Sequence, residues 1–416
     1  MDALKITGRR RLKGCVNIGG AKNAVLPIMA AAMMVDGEVV LKNVPQLTDV
    51  TAMCTILRAL GIEVKAENDI LIINAESVRY QDVPDTMMKT MRASNLIWGP
   101  LLDRFSFARI PMPGGCRIGS RPMDLHIKGM RKLGVEVVEH GGIIVSHGKN
   151  RKGSDLYLDF PSVGATENLV MAAVKTRGET MIRNAAREPE VADLCSFLVA
   201  CGAKIVGIGS DTLYISGVEK LHPTEYEIIP DRIVGGTMLL AAALTGGDVT
   251  IRKTHPEHIE AVTTKMAEAG VIIESSPDTL RVKGGAPLQA VDLKTMPYPG
   301  FPTDIQPQFM AAMTQAAGAS VICESIFENR FGHCADLNRM GADIKVDGRW
   351  AVVRGGTLLE GTDVEASDLR GGAALILAGL AAEGETVVHN ASFIERGYSN
   401  LEAVFNELGA RIEHTE

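Results

Sequence analysis

One stretch of this chain concentrates residues that could do covalent or proton chemistry: MPGGCRIGSRPMDLH, Met112–His126. Gly114, Gly115 and Gly119 surround Cys116. Cys116 lies beside Arg117 and five residues before Arg121. Cationic neighbours favour a thiolate, so this thiol reads as the most reactive of the seven cysteines. A loop so rich in glycine can also act as a lid. The other six cysteines (15, 54, 195, 201, 323 and 334) lie in apolar or strand-like contexts and read as small buried hydrophobes. A second group of charges stands at the start of small-residue segments: Lys22 in AKNA, Arg92 in MRAS, Asp231 and Arg232 in PDRIV, Asp304 in PTDIQ, and Arg370 in DLRG. If those segments are helices, their positive N-terminal ends and these cations favour a polyanionic substrate. Asp231 and Asp304 also fit plain helix N-caps.

Other chemistries lack their residues. There is no phosphate loop of the G-x-x-x-x-G-K-[ST] form and no dinucleotide-binding G-x-G-x-x-G opening a helix. His255 and His258 in HPEH have ligand spacing, but no Cys or His cluster completes a metal site, so no metal or other cofactor is expected. Nothing suggests a Ser-His-Asp machine.

The elements that position these residues repeat. Six times a helix-like segment ends in glycine (Gly61, Gly134, Gly202, Gly270, Gly341, Gly409) at intervals of 68 to 73 residues. A helix C-cap needs left-handed φ, which glycine adopts without steric cost. Strand-like alternation follows each one, and the last copy stops after a single strand. Upstream, in step, runs an Ala/Gly-rich helix followed by a strand, as in KNAVLPIMAAAMMVDGEVVLKNV and LRGGAALILAGLAAEGETVVHNA. These helices are apolar on more than one face and are expected to be fully buried. The unit reads as βαβαββ, six copies in two sets of three. Residues 22–230 form one expected domain, carrying the Cys116 loop. Residues 1–21 with 231–416 form the other, the first strand supplying what the last copy lacks. A cleft between the halves is the expected ligand site.

At 416 residues two domains are the default. A composition 46% hydrophobic and 22% charged is globular. The net charge of −7 gives no reason to expect nucleic acid. The start has a basic stretch without an apolar core or cleavage site, and the apolar runs are shorter than a membrane span. With odd, scattered cysteines, these features point to the cytoplasm. The oligomeric state is not legible.

Nine stretches together resemble the UDP-N-acetylglucosamine 1-carboxyvinyltransferase family of enolpyruvyl transferases: GGAKNAVLPI, KTMRASNLIWGPLL, PGGCRIGSRPMDLHI, PSVGATEN, NAAREPEV, PDRIVGGT, FPTDIQPQF, FENRF and ERGY. The likeness is collinear over essentially the whole chain. It implies a two-domain inside-out α/β barrel, with phosphoenolpyruvate and UDP-N-acetylglucosamine as substrates in the first committed step of peptidoglycan synthesis. It assigns Lys22, with Arg121 and Arg396, to phosphoenolpyruvate, and Asn23 to the sugar and the intermediate. Arg92, the run Arg121, Pro122, Met123, Asp124 and Leu125, and Ser162, Val163 and Gly164 match uridine and diphosphate contacts. Asp304 and Ile326 match the sugar end, with Asp304 as base, and Arg330 and Arg370 match further cleft residues. Cys116 matches the general acid that also aids product release, and it implies sensitivity to the epoxide fosfomycin. The Gly-Gly-Cys loop and the Arg121–Leu125 run argue against the sister enzyme acting on shikimate 3-phosphate. Two departures are small: Gly in DLRGG where Ala is common, and SIFENR in place of TVFENR.

Overall fold

The computed structural model describes residues 2–81, 92–112, 118–119, 123–285 and 287–415, and for residues 92–94 the backbone alone. Two compact α/β units are present. Unit 1 takes in residues 2–19 and 230–415 with Ile118 and Gly119; unit 2 takes in the other described residues between 20 and 229.

Each unit is built on buried helices. In unit 1 these are Arg232–Leu244, Gln306–Met313 and Leu369–Ala381. All eight residues of Gln306–Met313 are buried. In unit 2 they are Lys22–Ala32, buried from Ala24 onward, Trp98–Phe105, which continues a 3₁₀ turn at Arg92–Ile97, and Val163–Ala173. Small side chains let these helices pack closely, and their apolar residues make one core per unit. Sheets lie outside. A second set of helices joins them: Thr48–Ala59, Asp124–Lys132 and Pro189–Ala200 in unit 2, and Glu260–Glu268, Cys334–Arg339 and Leu401–Glu407 in unit 1.

All six repeat glycines end those outer helices, with φ between +80° and +100°. Each closes the same two bonds. At Gly270 its N–H donates to the Ala267 carbonyl at 2.9 Å and the Val271 N–H to the Met266 carbonyl at 3.0 Å, a Schellman motif. The chain then turns directly into the hairpin strand.

Five of the six sheets follow one plan, and the sheet of Phe107–Pro111, Ile143–His147 and Glu136–His140 shows its three antiparallel strands alone among the described residues. In the five, a short strand lies parallel to the strand after the buried helix, which pairs antiparallel with the hairpin. Leu293–Lys294, Ala319–Cys323, Trp350–Arg354 and Asp343–Asp347 form such a set. The first and fourth repeats exchange their short strands. Lys13–Asn17 lies parallel to Asp248–Arg252, and Glu225–Glu227 parallel to Glu38–Lys42. In the last repeat Ala3–Thr7 runs antiparallel between Glu385–His389 and Ile412–Thr415, and so fills the place of the missing hairpin strand. Among the described residues no helix is long and apolar enough to cross a membrane. One expectation needs correction: Cys15, on Lys13–Asn17, is exposed rather than buried, because that strand lies at the edge of its sheet among the described residues and most of its side chains are exposed.

A Cβ built on Gly270 would meet nothing within 4 Å. Gly270→Ala therefore carries only the backbone cost of left-handed φ, and is expected to destabilise unit 1 by about 1–2 kcal/mol. Gly270→Asn should cost less, because asparagine tolerates this conformation; denaturant unfolding of the two variants beside the parent checks both.

Candidate active site

In unit 1 the ends of the three buried helices bring charge together. Asp231 caps Arg232–Leu244, its Oδ1 accepting from the N–H groups of Ile233 at 2.8 Å and Val234 at 3.0 Å. Asp368 does the same for Leu369–Ala381, accepting from the N–H groups of Arg370 at 3.0 Å and Gly371 at 3.1 Å. Gly371 leaves that cap room, since a Cβ there would come 2.7 Å from Asp368 Oδ2. Asp304 behaves differently. It stands two residues before Gln306, is not the cap, and turns its carboxylate to two arginines. Arg330 Nη2 donates to Oδ1 at 3.0 Å, and Arg370 donates to Oδ2 from Nε at 3.3 Å and Nη2 at 3.1 Å. Both guanidinium side chains are 3% exposed or less, whereas that of Asp304 is 27% exposed. Three charge-assisted hydrogen bonds from two buried guanidinium groups therefore hold the Asp304 carboxylate in one direction.

Burial works against the charge on Arg370, but facing Asp304, then Tyr398 and Asp231, override it and hold the guanidinium above its ordinary range. The Tyr398 ring lies against Arg370, centroid to Cζ 5.4 Å. Its hydroxyl accepts from Gln308 Nε2 at 3.0 Å and lies 2.9 Å from Thr237 Oγ1, which ties the three helices together near these ends. Arg396 is half-buried just after the Ser392–Glu395 turn, two residues before Tyr398. The Ile326 N–H donates to Glu324 Oε1 at 2.8 Å.

In unit 2 Lys22 and Asn23 form the first turn of their helix. Lys22 Nζ lies 3.2 Å from Asp49 Oδ2, and its side chain is 12% exposed. Ser162 caps Val163–Ala173, accepting from the Ala165 N–H at 3.4 Å. Gly164 faces the His126 ring, its missing Cβ 3.5 Å from Cε1. Buried Met123 precedes the helix that exposed Asp124 and half-buried Leu125 open. Asn168 links these segments. Its Oδ1 accepts from the Gly99 N–H at 3.1 Å, and its Nδ2 lies 3.4 Å from His126 Nδ1. Below it burial, then the charges of Glu190 and Glu188, push the Glu167 carboxyl well above its ordinary range. Cys116, Arg121 and Pro122 lie outside the described residues, and Arg92 is described by its backbone alone. Among the described residues no three metal-ligating side chains cluster.

Sequence reasoning missed Asp49, Asn168, Glu324 and Asp368. A signal existed for Asp368, since the pattern Ser-Asp ahead of an apolar helix is a cap signature. Asp49 and Asn168 act across the fold and leave no local pattern, whereas Glu324 joins local partners at Ile326 and Phe327 to distant ones at Thr295 and Thr303.

His333, 1% exposed, lies beside Asp368 and Arg330. Burial, opposed by Asp368 and aided by Arg330, brings its imidazole from 6.5 down to about 4. The unfolded chain therefore binds this proton more readily than the folded one. The stability is complete above pH 6.5 and is lost as the pH falls through 6.5 toward about 4. His333→Gln should flatten that limb of the curve, and unfolding midpoints measured across pH 4–7 test it.

A family model described as EPSP synthase (3-phosphoshikimate 1-carboxyvinyltransferase) matches residues 6–405. A relative from Carboxydothermus hydrogenoformans named UDP-N-acetylglucosamine 1-carboxyvinyltransferase 1 is 49% identical, over 99% of this chain and 98% of its own length. One from Caldanaerobacter subterraneus named UDP-N-acetylglucosamine 1-carboxyvinyltransferase 2 is 48% identical over 99% of each. Among solved structures, the enolpyruvyl transferase NikO from Streptomyces tendae superposes with a TM-score of 0.90 at 26% identity, over 100% of this chain and 99% of that one. On its fold, its helix-end charges and this likeness along its whole length, the chain belongs to the EPSP synthase family and, within it, to the UDP-N-acetylglucosamine 1-carboxyvinyltransferases.

Proposed function

We propose that this protein transfers the enolpyruvyl group of phosphoenolpyruvate to the 3′-hydroxyl of UDP-N-acetylglucosamine, releasing phosphate, as the first committed step of peptidoglycan synthesis. The observation that carries the reading is the naming of relatives at 48–49% identity along the full chain. The site residues fit it. Both substrates are anions, and Lys22, Arg396 and the ends of buried helices are suited to them. Cys116, the general acid of this proposal, delivers a proton to the methylene carbon of phosphoenolpyruvate, which makes the neighbouring carbon electrophilic. The sugar hydroxyl attacks that carbon while Asp304 takes its proton. The tetrahedral adduct then loses phosphate as the new methyl group gives a proton back. These steps balance without any change of oxidation state.

Asp304 suits the role of base because Arg330 and Arg370 fix its direction while part of it stays open. The UDP-sugar lies, in this proposal, along Arg92, Arg121–Leu125 and Ser162–Gly164, with its sugar end at Asp304 and Ile326. The protein works in the cytoplasm on this reading, in keeping with six free cysteines among the described residues.

Phosphate release from phosphoenolpyruvate by the purified protein, without added metal, should depend on UDP-N-acetylglucosamine. Release without the sugar nucleotide, or binding of both ligands with no release, would overturn the reading. Asp304→Asn should lower turnover by at least about a hundredfold while UDP-sugar binding, followed by calorimetry, stays within about tenfold. Turnover like the parent's would remove Asp304 as the base.

A further inference from the structure

We infer that Glu324 is a positioning residue that holds Asp304 and the Ile326 loop in one register, and so sets how the acceptor sugar is presented. The inference rests on the roles given above to Asp304 and Ile326.

Glu324 is 0% exposed, yet it carries a carboxylate at the end of strand Ala319–Cys323. Burying such a group is costly unless donors surround it. Four do. Its Oε1 accepts from Thr295 Oγ1 at 2.8 Å, the Ile326 N–H at 2.8 Å and the Phe327 N–H at 3.1 Å. Its Oε2 accepts from Thr303 Oγ1 at 3.0 Å. Thr295 extends the clasp, accepting at its hydroxyl from the Ser325 N–H at 2.9 Å while the Ser325 hydroxyl donates to the Thr295 carbonyl. One buried side chain thus fastens the 325–327 turn to the residue just before Asp304.

The far side of that residue is also held. The Thr303 carbonyl accepts from Arg330 Nη2 at 3.2 Å, and the same nitrogen donates to Asp304 Oδ1 at 3.0 Å. Asp304 is therefore aimed by its arginines, and the backbone that carries it is fixed by Glu324 through Thr303. Apolar residues could fill this space at lower desolvation cost. What a carboxylate adds is direction: the segments at 295, 303 and 326 share one reference point. Groups that meet a reacting hydroxyl need such support, since a small misplacement lowers turnover steeply.

The test removes one bond at a time. Thr303→Val keeps the shape and deletes the hydroxyl that reaches Glu324. We expect its kcat to fall by at least about tenfold, with the KM for phosphoenolpyruvate within about twofold of the parent. Thr303→Ser, which restores the hydroxyl, should recover turnover to within about threefold. Glu324→Gln keeps an oxygen for the Ile326 and Phe327 amides and carries the same test if Thr303→Val does not fold; it should lower kcat and raise the KM for the UDP-sugar. A merely structural role would lower turnover only in proportion to the folded fraction seen by circular dichroism, with Thr303→Val and Thr303→Ser alike, and that result would overturn the inference. Asp304→Asn assayed in parallel separates the failures. If it is inactive while folded Thr303→Val turns over like the parent, the positioning role is wrong. If Asp304→Asn is itself fully active, the assignment of Asp304 falls and takes this inference with it.

Discussion

A helix buried around its whole circumference can offer polar groups to a ligand only at its ends. Gln306–Met313 and the long buried faces of Arg232–Leu244 and Leu369–Ala381 impose that limit on unit 1, and Lys22–Ala32 and Val163–Ala173 impose it on unit 2. The sheets must then lie outside to cover the helices. The outer helices must stop sharply so that each hairpin can turn back, which is why six glycines share one backbone conformation. The charged residues gather where unpaired N–H groups already favour anions.

Unit 1 uses those ends in two ways. Asp231 and Asp368 accept from backbone N–H groups at the starts of their helices. Asp304 is spared from capping because its helix starts without a side-chain cap, and its carboxylate is free to meet Arg330 and Arg370 instead. Asp231 and Asp368 stand one residue before their helices and Asp304 two before its own, and that single residue separates the capping carboxylates from the one that faces the arginines.

What could be read in the sequence was whatever one residue type, or its spacing, decides alone. A glycine at a helix end reports its own φ, so all six ends were legible. The last repeat's missing strand was a matter of counting, and Ala3–Thr7 occupies that place. Asp231 could be read as a cap because its partners are two and three residues away. Contacts across the fold were not legible. Asp304 meets Arg370 across 66 residues, Lys22 meets Asp49 on a different helix, and Glu324 reaches back to Thr295 and Thr303. The exchange of short strands between the first and fourth repeats was legible only as the division at residues 21 and 230; the pairing of Lys13–Asn17 with Asp248–Arg252 and of Glu225–Glu227 with Glu38–Lys42 was not. The roles proposed for Cys116 and Asp304 rest on family likeness and on no rule of periodicity.

The strand Ala3–Thr7 has a consequence for how the molecule is made. Its two neighbours, Glu385–His389 and Ile412–Thr415, are made only after the whole of unit 2 and the three buried helices of unit 1 have followed it. At roughly 5–20 residues per second the wait lasts on the order of tens of seconds. In that interval the buried side chains of Leu4 and Ile6 have no finished sheet to enter, although residues 20–229, which carry unit 2, are already complete. The nascent chain therefore carries a finished half and an unpaired strand whose edges are open to any passing partner. The longest wait in this topology falls on one short strand and not on the helical cores.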